Sequence, residues 1–584
     1  MATIQARVSR GQKYWYIVES KRVNGKPRPV MLAYLGKAET LLKRLQGLTD
    51  TVKLKSYLHG SVASLLKIAH ELNICEIINK HIKSMRNYTT EKPIRNNLTA
   101  GMTYLLAAIG RVCMPTSKRG WKNWAKTTSL EYLLKCNFSK IDSQHFWDLM
   151  DAMPIEAIEK IEAEILKEVF KSYGIESDSL FFDSTNFFTY INTTNSRCTI
   201  SQRGKNKQKR YDLKQIGLAM VVTRDDMIPL FHLTYQGNIH DSKVFNTVVG
   251  KIKKRMLSLN LNIDGHTIIF DRGNNSKENM KLIKDANLHY VGALTPYQHK
   301  QLINEAMSAF EQKNITESKD ELKVYRTKQV IWDEERTVVI HVSNKLKSGQ
   351  ISGIYQSLEK IKNSLTELKY TLKNPKTKKK DKEKLEKKIK NLVKGQFIDN
   401  IVIWHLEEME SGRFELSFLI DYHKLSEVED RLGFRILMTD RHDWDSKVII
   451  NAYQGQSHIE HAFKNLKNPH HLTIKPQFHW TDQKLRVHFF ICILGYLLST
   501  LVWREVKNTC QFKGSLHTLL TQLNNIRLAT LLEKTKKDKF KAIYMLEEMN
   551  AAENQFIDAL GLNDFHTQRP KFKGVGVYKD NSSI

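Results

Sequence analysis

Apolar positions along this 584-residue chain recur with two different periods, and the changes of period divide it into segments. Residues 13–36, KYWYIVESKRVNGKPRPVMLAYLG, set aromatic and β-branched residues on either side of Asn24-Gly25, which predicts a β-hairpin with a type I′ turn. Helical spacing follows at 60–83 (Leu65, Ile68, Leu72, Ile77), at 98–113 (Leu105, Leu106, Ile109) and at 155–173 (Ile158, Ile161, Ile165, Val169). Beyond 175 the pattern changes. LFFDSTNFFTYI (180–191), LKQIGLAMVVT (213–223) and MIPLFHLTYQ (227–236) are strand-like, the last two joined by the polar turn Arg224-Asp225-Asp226. A helix at 241–258, a short apolar run HTIIFDRG (266–273), a helix at 275–286 and a strand HYVGAL (289–294) complete this stretch.

Three antiparallel-looking strands followed by alternating helix and strand is the order of an RNase H-like core. The expected fold class is therefore α/β with helical regions: an RNase H-like mixed-sheet core, interrupted by a β-rich insert. Within 300–440, Ile354, Leu358, Ile361, Leu365, Leu368 and Leu372 are spaced 4, 3, 4, 3, 4, a heptad seam broken by Asn374-Pro375. Leu385, Ile389 and Leu392 resume the spacing, predicting a helical hairpin over 354–394 whose second arm, 370–394, holds 11 Lys against three acids. That arm is either a solvated face or a DNA contact. Strands are expected at 330–342 before the hairpin, and in FIDNIVIWHL and RFELSFLIDY after it. The core resumes near 445, with one helix over 450–468 and a buried helix, placed against a sheet, at 486–503. The predicted domains are 1–55 (β-hairpin), 56–175 (helical, DNA-binding), 176–299 (core), 300–440 (insert), 441–510 (core) and 511–584 (helical).

Charge narrows the class of partner. Lys plus Arg number 92 and Asp plus Glu 62, a net +30, and such an excess is neutralised most naturally by a polyanion, nucleic acid first. The longest apolar stretch, 488–503, is 16 residues, shorter than the ~20 of a membrane span, so no membrane association is expected. Six cysteines without a C-x-x-C pair indicate neither a disulfide framework nor a zinc ribbon, and together with the lack of an apolar leader point to the cytoplasm. No GxxxxGK[ST] loop is present, so ATP is not expected.

Three acids stand out by position. Asp183 sits among phenylalanines in the first core strand, where an isolated carboxylate is costly unless paired or metal-bound. Asp271 ends the TIIF run, and Glu460 lies on a late helix beside His458, His461 and Lys464. Each alone reads as a capping or turn carboxylate. Together, three carboxylates converging on one point suit two Mg²⁺ ions, with Mn²⁺ as a substitute, and such ions act on a phosphodiester. His458 and His461, at i and i+3, offer a weaker zinc alternative without HExxH or cysteine support. Lys118, Arg119, Trp121 and Lys122, in SKRGWKNWAK, read either as a DNA contact or as helix packing of Trp121 and Trp124.

With these residues in view, the chain resembles prokaryotic insertion-sequence transposases of the DDE class. It looks closest to the subgroup with a β-rich insert and a Tyr-x2-Arg-x3-Glu-x6-Lys signature. Tyr453, Gln456, Glu460 and Lys467 fall on those four positions, with Gln456 in place of Arg, so a charged phosphate contact is either missing there or supplied elsewhere. MPTSKRGWKNWA, YQGNIHDS (235–242), IIFDRG and KPQFHWTDQKLRVHFF resemble further segments of such enzymes in the usual order. The resemblance implies that Asp183, Asp271 and Glu460 hold two Mg²⁺ ions. It implies that Tyr453 and Lys467, with Gln456 and Lys464 nearby, meet the phosphates of the transposon ends. In the YQGNIHDS turn, Gly237, Asn238 and Asp241 match the group, though a helix N-cap at Asp241 or Asn238 also accounts for it. The expected partners are double-stranded DNA, both the inverted-repeat ends and the target, and a second copy of the chain in the synaptic complex. Donor cleavage through a hairpin intermediate is implied by the subgroup alone. Two other functions stay open: a nuclease or resolvase of the same fold without strand transfer, and a non-catalytic DNA-binding derivative.

Overall fold

The computed structural model describes residues 2–575 except 10–11, 24–25, 41, 43–51, 87–95, 97, 176–177, 207, 262–263, 313–322, 375–380, 396, 399, 476, 535–539 and 573–574. The chain forms two compact units: Met1–Ile175 with Phe187–Ile216 and Ala462–Ile584, and Glu176–Asn186 with Gly217–His461.

In the first unit, β1 (Ala2–Ser9), β2 (Gln12–Val23) and β3 (Lys26–Gly36) make an antiparallel sheet. Sequence predicted the last two strands; the Asn24-Gly25 pair lies outside the described residues. A fourth strand, β4 (Val52–Leu58), precedes a helical region. The helix predicted at 60–83 is two helices, Gly60–Glu71 and Ile74–Arg86, because Asn73 turns left-handed at φ 53° between them. Ile155–Tyr173 forms as predicted, with Ile158, Ile161, Ile165 and Val169 buried.

The second unit is built on an eight-stranded mixed sheet. Its strands are β5 (Ser179–Thr189), β6 (Lys214–Thr223), β7 (Pro229–Gln236), β8 (Thr267–Phe270), β9 (His289–Leu294), β10 (Val324–Ile331), β11 (Glu334–Val342) and, after the two-stranded β12 (Val402–Glu408) and β13 (Phe414–Ile420), β14 (Phe434–Thr439). The order is β10-β11-β14-β9-β8-β5-β6-β7, with β5, β8 and β9 parallel and β9, β14, β11 and β10 antiparallel in turn. The central strands read as unbroken apolar runs because both faces are covered: every residue of β8 is buried, and all but the first of β6.

Two boundaries differ from expectation. The run 330–342 is not one strand; it bends at Trp332-Asp333, both with positive φ (51° and 65°), as a two-residue hairpin turn requires. The sheet also includes β10, β11 and β14, so 324–342 and 434–439 belong to it rather than to a separate insert. What stands apart is a second core. The seam Ile354–Leu372 on helix Asn344–Lys373 is buried with Leu385 and Ile389 of helix Lys382–Leu392 and with Leu406, Phe414 and Leu416 of β12–β13. The seam thus faces a small sheet as well as the second helix.

In the rest of the first unit, helix Asp482–Cys510 is buried along most of its length. It packs mainly against the helices Gly60–Glu71, Ala100–Cys113, Ser143–Ala152 and Ile155–Tyr173 rather than against a sheet as predicted, although its Phe489 meets Phe187 at the end of β5 edge-on. Its apolar residues encircle it, as expected of a helix enclosed on all sides. Among the described residues it is the one helix long and apolar enough to cross a membrane. The segment after 511, expected to be helical, contains β15 (Arg527–Lys534) and β16 (Phe540–Leu546), and β15 pairs with both β16 and β4.

Candidate active site

β5 and β8 lie side by side, parallel, with Phe182 opposite Phe270. The next residue on each is an aspartate, Asp183 and Asp271. Asp271 keeps an extended backbone (φ −75°, ψ 155°), so the register carries the two carboxylates to the same carboxyl edge of adjacent parallel strands, about 5 Å apart at the backbone. That edge is where open α/β sheets place their sites. Burial stops there: Ser179–Phe182 are wholly buried and Asp183–Asn186 half-exposed, while Asp271 is exposed. Beneath the pair, Phe182 meets Phe245 at 5.1 Å and Phe245 meets Phe270 at 4.9 Å between ring centroids, an apolar floor. Each aspartate accepts a hydrogen bond from the amide of its successor, Ser184 N at 2.7 Å and Arg272 N at 2.8 Å, which orients it.

The predicted helix over 450–468 is two, Ser446–Gln454 and Ser457–Leu466, broken at Gly455-Gln456. Gly455 lies so close to Phe181 of β5 that a Cβ there would sit 2.5 Å from the ring. His458 holds the start of the second helix, with Nδ1 2.8 Å from the Arg224 carbonyl and its ring edge-on to Phe181. The signature residues therefore divide. Tyr453 ends the first helix and is buried, not turned outward. Its hydroxyl donates toward Asp271 Oδ1 at 3.5 Å, and the Arg435 guanidinium lies 6.0 Å from its ring centre. Burial, and next the Asp271 charge, push its pKa well above the usual phenol value, with Arg435 and Arg272 opposing. It stays a protonated donor. Gln456 occupies the break, and Glu460 is exposed on the second helix.

The donor chemistry of the aspartate pair, two hard oxygen ligands, fits Mg²⁺. Among the described residues no three His, Cys, Asp or Glu side chains stand close enough together to enclose a metal ion, so Glu460 does not close a ligand set with the pair here. The same holds for His458 and His461 as a zinc site.

The remaining predicted DNA-contact residues lie in the first unit. Lys464 is exposed, and the Lys467 ammonium lies 5.3 Å from the Phe187 ring centre. Arg119 is exposed, and Lys122 donates to the Ser139 carbonyl. Lys118 turns inward, 2.8 Å from His479 Nε2 and over the Trp147 ring, and burial lowers its pKa to about 8. Trp121, 4% exposed, donates to the Leu106 carbonyl and packs on Phe138 and Phe146, so core packing accounts for it. In the YQGNIHDS turn, which lies in the second unit, the helix Asp241–Ser258 has His240, rather than Asp241 or Asn238, at its N-cap position, with no capping hydrogen bond from the His240 side chain. Sequence reasoning passed over Arg272 and Arg435. Arg272 was legible as the direct successor of Asp271. Arg435 was not, since it sits in β14, which the spacing had left inside the insert.

Two acidic residues thus stand at the carboxyl edge of adjacent parallel strands, each braced by the amide of its successor, with the Tyr453 hydroxyl beside Asp271. The chain belongs to the transposase DDE domain family, whose model matches residues 180–498, and its activity class is DNA transposition. Among solved structures, the cryo-EM structure of the piggyBac transposase synaptic complex with hairpin DNA is similar at 9% identity, over 79% of each chain, with a TM-score of 0.38. No curated protein matches the chain.

Proposed function

We propose that this protein binds the terminal inverted repeats of an insertion sequence, cuts at the element ends and joins the freed 3′-hydroxyl to target DNA in a cut-and-paste reaction. The observation that carries this is the in-register pair Asp183 and Asp271 within a family-matched transposase domain. The connectivity β7-β6-β5-β8-β9 supports an RNase H-like core. Asp183 and Asp271 would hold Mg²⁺, with Glu460 as the third ligand once its helix closes on bound DNA. Bound divalent cations lower the pKa of an attacking water and offset charge on the phosphate. Tyr453 orients Asp271 through its hydroxyl, while Arg272 and Arg435 bring positive charge to an edge where the signature arginine is replaced by Gln456.

The test is incubation of the protein with its own element ends in Mg²⁺, mapping cut and joined products. Wild type should cut and join. Asp183→Asn, Asp271→Asn and Glu460→Gln should bind the ends but do neither, because each removes one anionic ligand and keeps the shape. Near-normal cleavage by any of the three, or cleavage without a divalent ion, would overturn the assignment. Cutting without joining would favour the nuclease function instead.

A further inference from the structure

A second surface, wholly within the first unit, combines charge with exposed rings. Residues 190–214 contain seven Lys or Arg against one acid, Asp212, and Asp212 is neutralised by Arg210 at 2.6 Å. This 25-residue stretch therefore carries six of the chain's thirty excess positive charges. Against it runs the extended segment 477–481, whose side chains alternate in burial. Gln477 and His479 point inward and are buried, whereas Phe478 and Trp480 point outward, each 56% exposed. Tyr190, 50% exposed, stands beside Phe478 with ring centroids 5.8 Å apart.

The segment is fixed at both ends. Tyr190 N donates to the Gln477 carbonyl at 2.9 Å, and Asn195 Nδ2 to the Trp480 carbonyl at 2.9 Å. Asp482, directly beyond, accepts from the Thr199 and Ile200 amides at 2.7 and 3.0 Å. The buried His479 ring lies 4.4 Å from that of His488. Large rings held rigidly outward leave apolar area in water, which a stacked partner would cover with little ordering cost. The surrounding lysines and arginines select a polyanion over a protein or lipid tail. Duplex DNA hides its base faces, and only unpaired bases present a π-face to such rings.

We propose that Tyr190, Phe478 and Trp480, framed by the basic 190–214 segment, form a stacking platform for unpaired nucleotides of the DNA substrate. The proposal rests on the transposase function above for its ligand but not for its test. Full-length protein is titrated in EDTA, without cleavage, against a labelled 20-nucleotide oligo-dT and against a blunt 20-base-pair duplex. Stacking contributes about 5- to 150-fold per base on alanine substitution. Phe478→Ala/Trp480→Ala should therefore lose at least tenfold in oligo-dT affinity while duplex affinity changes less than threefold. Trp480→Phe should retain most of the oligo-dT affinity, which separates loss of stacking from misfolding. Unchanged oligo-dT binding by the double variant would overturn the proposal, as would an equal loss on both probes, or a change of oligomeric state without a change in affinity. Wild type that binds oligo-dT but cuts no element end would overturn the proposed reaction and leave the platform standing.

Discussion

Tyr453 decides how the aspartate pair is held. Its hydroxyl is a protonated donor in a buried position, and Asp271 is its acceptor. Tyr453→Phe removes one hydrogen bond to a charged acceptor, an interaction of about 1.5–3 kcal/mol. If the hydroxyl orients Asp271, end cleavage should fall by roughly tenfold or more while DNA affinity changes little. A phosphate-contact role would instead lower DNA affinity, so a filter-binding titration beside the cleavage assay separates the two. Gly455 is the stricter position. Any side chain there meets Phe181 of β5, and Gly455→Val should cost about 1–3 kcal/mol of stability and misplace Glu460, which follows on the next helix. A denaturant melt checks the first effect and cleavage the second.

Among the elements, the arm formed by Asn344–Lys373 and Lys382–Leu392 has a core of its own. Leu365 is fully buried in it, and Leu365→Ala should cost about 2–5 kcal/mol, read as early hydrogen exchange confined to the arm. The lysines Lys382, Lys384, Lys387 and Lys388 are exposed on its second helix. If they contact DNA, replacing all four with Gln should make the salt dependence of binding shallower by about 3.6, at ~0.9 per phosphate contact. An unchanged slope would assign them to a solvated face. The heptad seam was legible because its residues recur at fixed local spacing. Asp183 and Asp271 were legible because a carboxylate interrupts or ends an apolar run. The strands β4 and β15 were not, since RLATLLEK serves helix or strand equally and its partner lies in a distant part of the chain. The break at Gly455 escaped notice because its cause, the Phe181 ring, comes from another strand.

Across the molecule, acid is the expected weak point. His59 is fully buried, and burial together with His566 lowers its pKa to about 3; His479 and His488 are lowered too, mainly by burial. Their folded values lie below the ~6.5 of the unfolded chain, so between those limits the unfolded state binds more protons. The stability they support is complete above about pH 6.5 and is lost as pH falls, by up to ~1.4 kcal/mol per pH unit for each histidine. Urea midpoints at pH 7.5, 6 and 5 should decline in that order. His59→Gln should flatten the decline.

The pairing of β4 with β15 also sets a schedule. Leu58 meets Arg527, and the first unit recruits its last segment only from Ala462 onward. At ~5–20 residues per second, β4 emerges from the ribosome ~25–90 seconds before its partner strand exists. A chain released early, even one carrying both aspartates, leaves that sheet unfinished. Competence therefore waits on residues translated well after both aspartates, so an early stop yields a chain that carries its candidate chemistry without its finished scaffold.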